Sequence, residues 1–147
     1  MKRPTLLAAA LLLVLASCSP STPPEAPPVF SHLTLAQARS QVAGTPKVLI
    51  VKATASWCPP CKQMNKTSWR DPRVEKWVAD HGIAIELDVD QSTQDARALR
   101  ITAMPTMLAF KDGEEFDRTV GFLDGDQLLA WLGAVERGER AGLSGPR

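Results

Sequence analysis

The sequence predicts an α/β domain built on a central mixed sheet of about four strands, with helices on its faces. Segments with the apolar patterns of strands alternate along the chain with segments of helical periodicity. An Asp112-Gly113 pair separates the last two strand-like segments and is a strong hairpin signal. The 147-residue chain is 44% hydrophobic and 22% charged, which is the composition of an ordinary soluble globular domain.

The first half of the domain is predicted to contain three helices and two strands. Its segment KVLIVKA, from Lys47 to Ala53, is short, apolar and β-branched, which is typical of a central strand covered on both faces. The other predicted elements are a helix at Leu33–Val42 that a Gly-Thr-Pro turn stops, a helix from about Pro59 to Ser68, a shorter helix at Pro72–Ala79 and a strand at Ile83–Val89.

The second half is predicted to add a helix capped by Ser92 and carrying Ala96, Leu99 and Ile101, strands at Thr106–Phe110 and Phe116–Val120, and a last helix begun near Asp124 with Leu128, Leu132 and Val135 on one face. This order implies parallel strands joined through helices, followed by an antiparallel hairpin strand. We expect the domain to span residues 30–138, with a polar tail at 139–147. No internal repeat or second domain is visible in the sequence.

Residues 1–17 are predicted to be a signal peptide outside the domain. They begin with a positively charged MKR segment and continue with an apolar run from Leu6 to Ala16, too short to span a bilayer comfortably. The run ends in Leu-Ala-Ser-Cys, which resembles the lipobox of bacterial lipoproteins. The resemblance implies cleavage before Cys18 and a lipid on its thiol. The alternative is an ordinary signal peptide with a stray cysteine.

Residues 18–29 are predicted to tether the domain to the lipid-bearing Cys18. The segment SPSTPPEAPP, from Ser19 to Pro28, contains five prolines in ten residues. Such a segment favours extended polyproline II and would reach about 30 Å. A disordered linker with no required length is the alternative, and both keep the domain tethered.

Charge and cysteine content argue against several classes of protein. The formal net charge is +1 and no basic block is present, so nothing points to nucleic acid or to an anionic membrane surface. Three cysteines are too few for a scaffold held by disulfides, so the core must stabilise the fold.

Cys58 and Cys61 form a C-x-x-C motif and are the candidate catalytic residues. Their segment WCPPCK follows the central strand and opens a helix, whose positive end stabilises a thiolate. The spacing lets the second cysteine, one turn further into the helix, attack a mixed disulfide and release the product. We therefore expect Cys58 to be the exposed nucleophile and Cys61 the sheltered resolving thiol.

A zinc site is the alternative interpretation of C-x-x-C. Zinc would need two further ligands. The two histidines, His32 and His81, lack metal-binding spacing, and no second C-x-x-C motif is present. We therefore expect no metal and no cofactor.

WCPPCK is similar to the active-site segment of the thioredoxin family, and Met104-Pro105-Thr106 resembles that family's cis-proline loop. Segments 67–74 (TSWRDPRV) and 120–124 (VGFLD) particularly resemble the C-terminal thioredoxin-like domain of the membrane thiol:disulfide interchange protein DsbD. The resemblance covers about Lys47 to Val135 and implies a thioredoxin fold. It also implies that Met104 and Pro105 bind the substrate, with a cis bond between them, and that Trp57 shapes docking.

The sequence departs from that family's pattern at two places. Pro59 stands where the family usually has glycine, and neither it nor Pro60 carries an N–H, so the Cys58 sulfur must rely mainly on the N–H groups of Cys61 and Lys62. Second, the family usually has a buried acid six residues before the nucleophile, where this chain has Lys52. Neutral Lys52 could take a proton from Cys61, charged Lys52 could ease the ionisation of Cys61, or its stem could snorkel to water without a chemical role.

The resemblance implies an extracytoplasmic, lipid-anchored thiol–disulfide oxidoreductase of a bacterial cell envelope. We expect a monomer that passes electrons from a membrane-embedded donor to disulfides of exported proteins. A thioredoxin-like binding or copper-handling module without redox turnover is the alternative, since two thiolates are also soft metal ligands. An oxidant with a higher reduction potential is a third possibility.

Overall fold

The computed structural model of the protein describes residues 27–141. The predicted signal peptide, Cys18 as the predicted site of lipidation, most of the predicted tether and the last six residues of the predicted polar tail lie outside the described residues. Within residues 27–141, no helix has the length and apolar character needed to cross a membrane.

The described part of the chain folds into a five-stranded mixed sheet with α-helices on both faces. The strands are β1 (Phe30–Ser31), β2 (Val48–Thr54), β3 (Gly82–Asp88), β4 (Thr106–Lys111) and β5 (Glu114–Val120), in the order β1-β3-β2-β4-β5. The helices are α1 (Leu35–Val42), α2 (Pro59–Lys66), α3 (Pro72–His81), α4 (Thr93–Ala98) and α5 (Gly125–Glu136), and a short 3₁₀ helix lies at Ser68–Arg70.

The predicted fold class is confirmed, and each predicted helix and strand is present with its ends displaced by a few residues. The fifth strand, β1, is an addition to the prediction. It has only two residues, which is too short to show a pattern in the sequence, and it pairs in parallel with β3 through Phe30 and Ala84.

The predicted direction of β4 is wrong. The order of elements implied a third parallel strand, but β4 runs antiparallel to β2, with Thr106 opposite Ala53 and Phe110 opposite Leu49. The preceding helix α4 has six residues and is therefore about 9 Å long. The connection that contains it does not return along β3 but enters β4 at the same end of the sheet. Consequently β4 starts where β2 and β3 end, which places Pro105 near the cysteine motif.

Strand β2 is the centre of the molecule. All seven of its residues are buried, and it pairs in parallel with β3 and antiparallel with β4. Its side chains alternate between two apolar cores, because Val48 and Ile50 pack with helices α2, α3 and α5, whereas Leu49 and Val51 pack with α1 and α4. The loop that carries Cys58 thus starts from the most enclosed strand of the sheet.

The predicted hairpin joins β4 to β5. Asp112 and Gly113 have φ values of 52° and 83°, the left-handed conformation that a tight two-residue hairpin turn requires. Glycine adopts this conformation without steric cost, and aspartate is among the residues that tolerate it best. The prediction of a hairpin at this pair is confirmed.

The helix starts predicted at Ser92 and near Asp124 are capped differently. Asp124 caps α5, because its Oδ1 accepts from the Gln127 N–H at 2.8 Å and the Gln127 Oε1 accepts from the Asp124 N–H at 3.1 Å. Ser92 stands at the start of α4, but its side chain makes no capping hydrogen bond. The prediction that the Ser92 side chain caps α4 is therefore wrong.

Candidate redox site

The C-x-x-C motif lies after the end of β2, at the start of α2. Cys58 is the residue before the helix, in extended conformation, and Pro59 and Pro60 fill the first turn. Proline suits this turn because its fixed φ is helical and its missing N–H would lack a partner within the helix. The Cys58 N–H donates to the Ala55 carbonyl at 3.1 Å, which tightens the turn out of the strand. Cys58 and Cys61 are joined by a disulfide.

One backbone donor faces the Cys58 sulfur. The Cys61 N–H donates to Cys58 Sγ at 3.3 Å, as expected. The Lys62 N–H instead donates to the Cys58 carbonyl at 3.2 Å and closes the first turn of α2, so its predicted contact with the sulfur is wrong. The sulfur therefore depends on the Cys61 N–H and on the positive end of the helix.

The two cysteines do not differ in exposure. Cys58 is 3% exposed and Cys61 is 1% exposed, whereas the sequence led us to expect an exposed Cys58. In the disulfide form both pack against Ala55, and Val89 and Met104 cover them. What distinguishes the cysteines is their position, since Cys58 precedes the helix and Cys61 lies within its first turn.

The loop before β4 reaches the cysteines as predicted. The Met104–Pro105 bond is cis, and Met104 packs against the cluster that contains Cys58 and Cys61. The loop is fixed at both ends, because the Pro105 carbonyl accepts from the Gly121 N–H at 2.8 Å and the Thr106 hydroxyl donates to the Ala103 carbonyl at 2.7 Å.

Trp57 presents an apolar surface beside the disulfide. It is 62% exposed, and its indole Nε1 donates to Asp90 Oδ2 at 2.8 Å. Asp90 follows β3 and was not among the residues that the sequence singled out. A hydrogen bond to the indole holds the ring at the surface without burying it, so Trp57 remains available for contact.

Lys52 is fully buried, and its amine lies inside the molecule. Its Nζ donates to Glu86 Oε1 at 2.7 Å and to Asn65 Oδ1, and it lies 5.6 Å from the centre of the Phe30 ring. The suggestion that the lysine stem snorkels to water is therefore wrong. Burial lowers the pKa of Lys52, while the charge of Glu86 and its hydrogen bond oppose that effect.

Glu86 and Asn65 complete a small polar network that the sequence analysis missed. Asn65 Nδ2 donates to Glu86 Oε1 at 2.9 Å, so one carboxylate oxygen accepts from both Asn65 and Lys52. Glu86 lies directly opposite Lys52 in the parallel pairing of β2 with β3. Aligning the apolar residues of the two strand segments would have placed these opposite charges side by side.

A polar groove with a volume of about 820 Å³ opens next to this network. Glu86 reaches it, with 19% of its side chain exposed, whereas none of the Lys52 side chain is exposed. The other charged side chains that line the groove are Lys62, Lys66, Arg70 and Asp88. Glu86 thus connects the buried amine to solvent.

The part of the chain that the structure describes contains no group of three or more His, Cys, Asp or Glu side chains that could hold a metal ion. His81 instead lies at the end of α3, with its Nδ1 3.6 Å from Glu136 Oε1.

Comparison with known proteins identifies similar domains. Residues 35–136 match the family model described as a thioredoxin-like domain. The chain is 37% identical over 97 residues to a mitochondrial thioredoxin of Mus musculus, in an alignment that covers 64% of this chain and 55% of that protein. It is 32% identical over 84 residues to a thioredoxin of Chlamydia trachomatis, covering 56% of this chain and 76% of that protein. The chain thus spans about half the length of the mitochondrial relatives it matches.

Solved structures show the same similarity. A thioredoxin from Thermus thermophilus superimposes with a TM-score of 0.62 at 25% identity, over 69% of this chain and 82% of that one. A thioredoxin from Malassezia sympodialis superimposes with a TM-score of 0.53 at 33% identity, over 66% of this chain and 82% of that one.

Proposed function

This chain belongs to the thioredoxin-like family, and from that premise we propose that it reduces disulfides of exported proteins outside the cytoplasm. The observation that carries the proposal is the Cys58–Cys61 disulfide at the start of α2. A disulfide at a helix N-terminus is poised for exchange, because the same backbone donor and helix dipole support the thiolate once the pair is reduced. The Cys61 N–H already faces the Cys58 sulfur.

The reaction proceeds by two thiol–disulfide exchanges. The Cys58 thiolate attacks one sulfur of a substrate disulfide, and the other substrate sulfur leaves as a thiolate. Cys61 then attacks Cys58 Sγ, which releases the second substrate sulfur and forms the Cys58–Cys61 disulfide. Two electrons pass from the dithiol to the substrate. The disulfide form that the structure contains is the product, and an external donor of two electrons must reduce it again.

The substrate is proposed to dock on the surface around Trp57, Met104 and Pro105. The exposed ring of Trp57 and the side chain of Met104 supply apolar area beside the cysteines. The Met104–Pro105 loop, whose Met104 packs against the cysteines, would offer its backbone groups to an extended substrate segment. Supporting residues such as Asp90 hold this surface in place without covering it.

The proposed place of action is the bacterial cell envelope, with a lipid on Cys18 as anchor and a membrane-embedded protein as electron donor. The sequence supports this through the apolar segment that ends at Cys18 and the proline-rich spacer that follows it. The tether lets a monomeric domain reach both the membrane and its substrates.

The test is turnover of a protein disulfide by the full chain, with insulin as substrate and dithiothreitol as electron donor. We expect catalytic reduction that Cys58→Ser and Cys61→Ser each abolish. The Cys58–Cys61 reduction potential should lie near the thioredoxin value of about −270 mV, not near the −120 mV or so of a strong oxidant. Stoichiometric Cu(I) binding without reduction of insulin would contradict the proposal and favour a copper-handling module.

A further inference from the structure

The network of Lys52, Asn65 and Glu86 has no part in the exchange steps described above. It joins the central strand, the helix that carries the cysteines and the open groove. An amine with no exposed surface is costly unless it is paired, and here a carboxylate and an amide pair it. The network thus links the helix that carries the redox pair to the groove through hydrogen bonds.

Asn65 places the network on the same face of α2 as Cys61. Asn65 comes four residues after Cys61 in α2, so the two side chains lie on the same face of the helix, about 5–6 Å apart between their Cβ atoms. Lys52 Nζ donates to the Asn65 amide from the sheet below. The amine therefore approaches α2 from the sheet, on the helix face that also carries Cys61.

Cys61 needs a proton acceptor. A thiol attacks a disulfide as its thiolate, so Cys61 must lose its proton when it resolves the mixed disulfide. The Cys61 residue is only 1% exposed. In the disulfide form bulk water therefore has little access to the Cys61 sulfur, which favours a neighbouring side chain as the proton acceptor.

We propose that Lys52, Asn65 and Glu86 form one proton relay that serves Cys61, an inference that rests on the proposed reductase function. As Cys61 Sγ bonds to Cys58 Sγ and the bond from Cys58 to the substrate sulfur breaks, Lys52 receives the Cys61 proton and passes one of its own to Glu86. The electron pair of the broken bond leaves with the substrate sulfur. Glu86 releases the proton to water in the groove, and Asn65 orients both partners.

Several charged side chains line the same groove as Glu86, and none of them is substituted in the test. Lys52 faces it from β2, and the remaining charged side chains at the groove are Lys62 and Lys66 from α2, Arg70 from the 3₁₀ helix and Asp88 from β3. None of these groove residues takes part in the hydrogen bonds that join Glu86 to Lys52 and Asn65. Their charges are therefore the same in the wild type and in every variant below.

The experiment measures the two exchange steps separately in single turnovers of the full chain with a fluorescent disulfide peptide. Glu86→Gln keeps an oxygen that accepts from Lys52 and Asn65 but removes the proton acceptor. We expect Glu86→Gln, Lys52→Met and the double variant each to slow release of the mixed disulfide by about 100-fold. Attack by Cys58 should keep its wild-type rate. Because the residues act as one relay, the double variant should be no slower than either single variant, whereas independent effects would multiply.

Glu114→Gln is the matched control. Glu114 lies on the edge strand β5, which β2 and β4 separate from the β3 strand of Glu86, and the substitution removes the same charge. Release in this variant should match the wild type. If Glu86→Gln releases the mixed disulfide at the wild-type rate at every pH, the relay is overturned. Equal slowing of attack and release also overturns it, because that result indicates a structural role. If Lys52→Met misfolds, Glu86→Gln alone decides. A wild-type chain that never reduces the peptide refutes the reductase function itself.

Discussion

Cys58 and Cys61 are almost equally buried in the disulfide, so their places on α2 must set their chemical roles. Cys58 stands before the helix, where the Cys61 N–H and the helix dipole reach its sulfur. Cys61 lies one turn further in, on the face of α2 that carries Asn65, the partner of the buried Lys52 amine. This asymmetry would make the first cysteine the nucleophile and the second the resolving thiol.

Trapping experiments test that division. Cys61→Ser should accumulate mixed disulfides through Cys58, because the attack still occurs but the bond is not resolved. Cys58→Ser should trap few or none, because Cys61 lies within the first turn of α2, whereas the backbone N–H and the helix end that support a thiolate face the Cys58 sulfur. Trapped partners can be counted on non-reducing gels after alkylation. Equal amounts in the two variants would contradict the assignment.

Lys52 is also important for stability. Lys52→Met leaves the largely buried Glu86 carboxylate without its cation, so we expect a loss of about 3 kcal/mol in the free energy of unfolding. The double variant Lys52→Met with Glu86→Leu should recover most of that loss, since an apolar pair needs no counter-ion. Urea unfolding of the reduced proteins measures both values. Equal losses in the single and the double variant would show that the pair is not coupled.

The pH dependence of stability follows from the same burial. Burial lowers the pKa of Lys52 below its ordinary 10.5, so between the lowered value and 10.5 the unfolded chain binds more protons than the folded one. The wild type should therefore gain stability, relative to the double variant Lys52→Met with Glu86→Leu, as the pH rises toward 10.5. A stability difference that stays constant would show that the effect of Glu86 on the pKa of Lys52 cancels that of burial. A difference that moves against the wild type would show that the effect of Glu86 is the larger one.

Among the elements, α5 shows how a local sequence signal sets a boundary. Its start is fixed by the reciprocal bonds between Asp124 and Gln127, and the Trp131 indole anchors it to Asp117 on β5 at 3.1 Å. Asp124→Ala removes the side-chain acceptor and should lower the free energy of unfolding by about 1 kcal/mol. Asp124→Asn keeps an oxygen at the same place and should remain close to the wild type. Thermal and urea unfolding would show whether the two variants separate.

Sequence reasoning succeeded for most features with a local cause, the Ser92 cap and the Lys62 N–H contact excepted, and failed where the cause is not local. The cysteine motif, the Asp112-Gly113 hairpin and the proline loop could be predicted because their signals lie within a few residues. The direction of β4 depends on the path that the chain takes from β3, and the pairing of Glu86 with Lys52 depends on strand register. Neither property is written in any single segment. Both require the sheet to be assembled first.

At the scale of the whole molecule, the domain is expected to work at the end of a tether. Cys18→Ala should abolish incorporation of radioactive palmitate and release the protein from membranes, because it removes the thiol that we propose to carry the lipid. Cys58→Ser serves as the control, since it removes a different thiol and should leave labelling intact. Unchanged labelling of Cys18→Ala would show that the protein is not a lipoprotein.

The enclosure of β2 also has a consequence on the timescale of hydrogen exchange. Its seven residues are buried and have strand partners on both sides, so their amides should exchange only when the whole domain opens. The outer β1 and β5 can open alone, at a lower free energy. Cys61 packs with Ala55, the residue that follows this strand, so alkylation of its thiol in the reduced protein should be much slower than that of a free thiol but faster than exchange of the β2 amides.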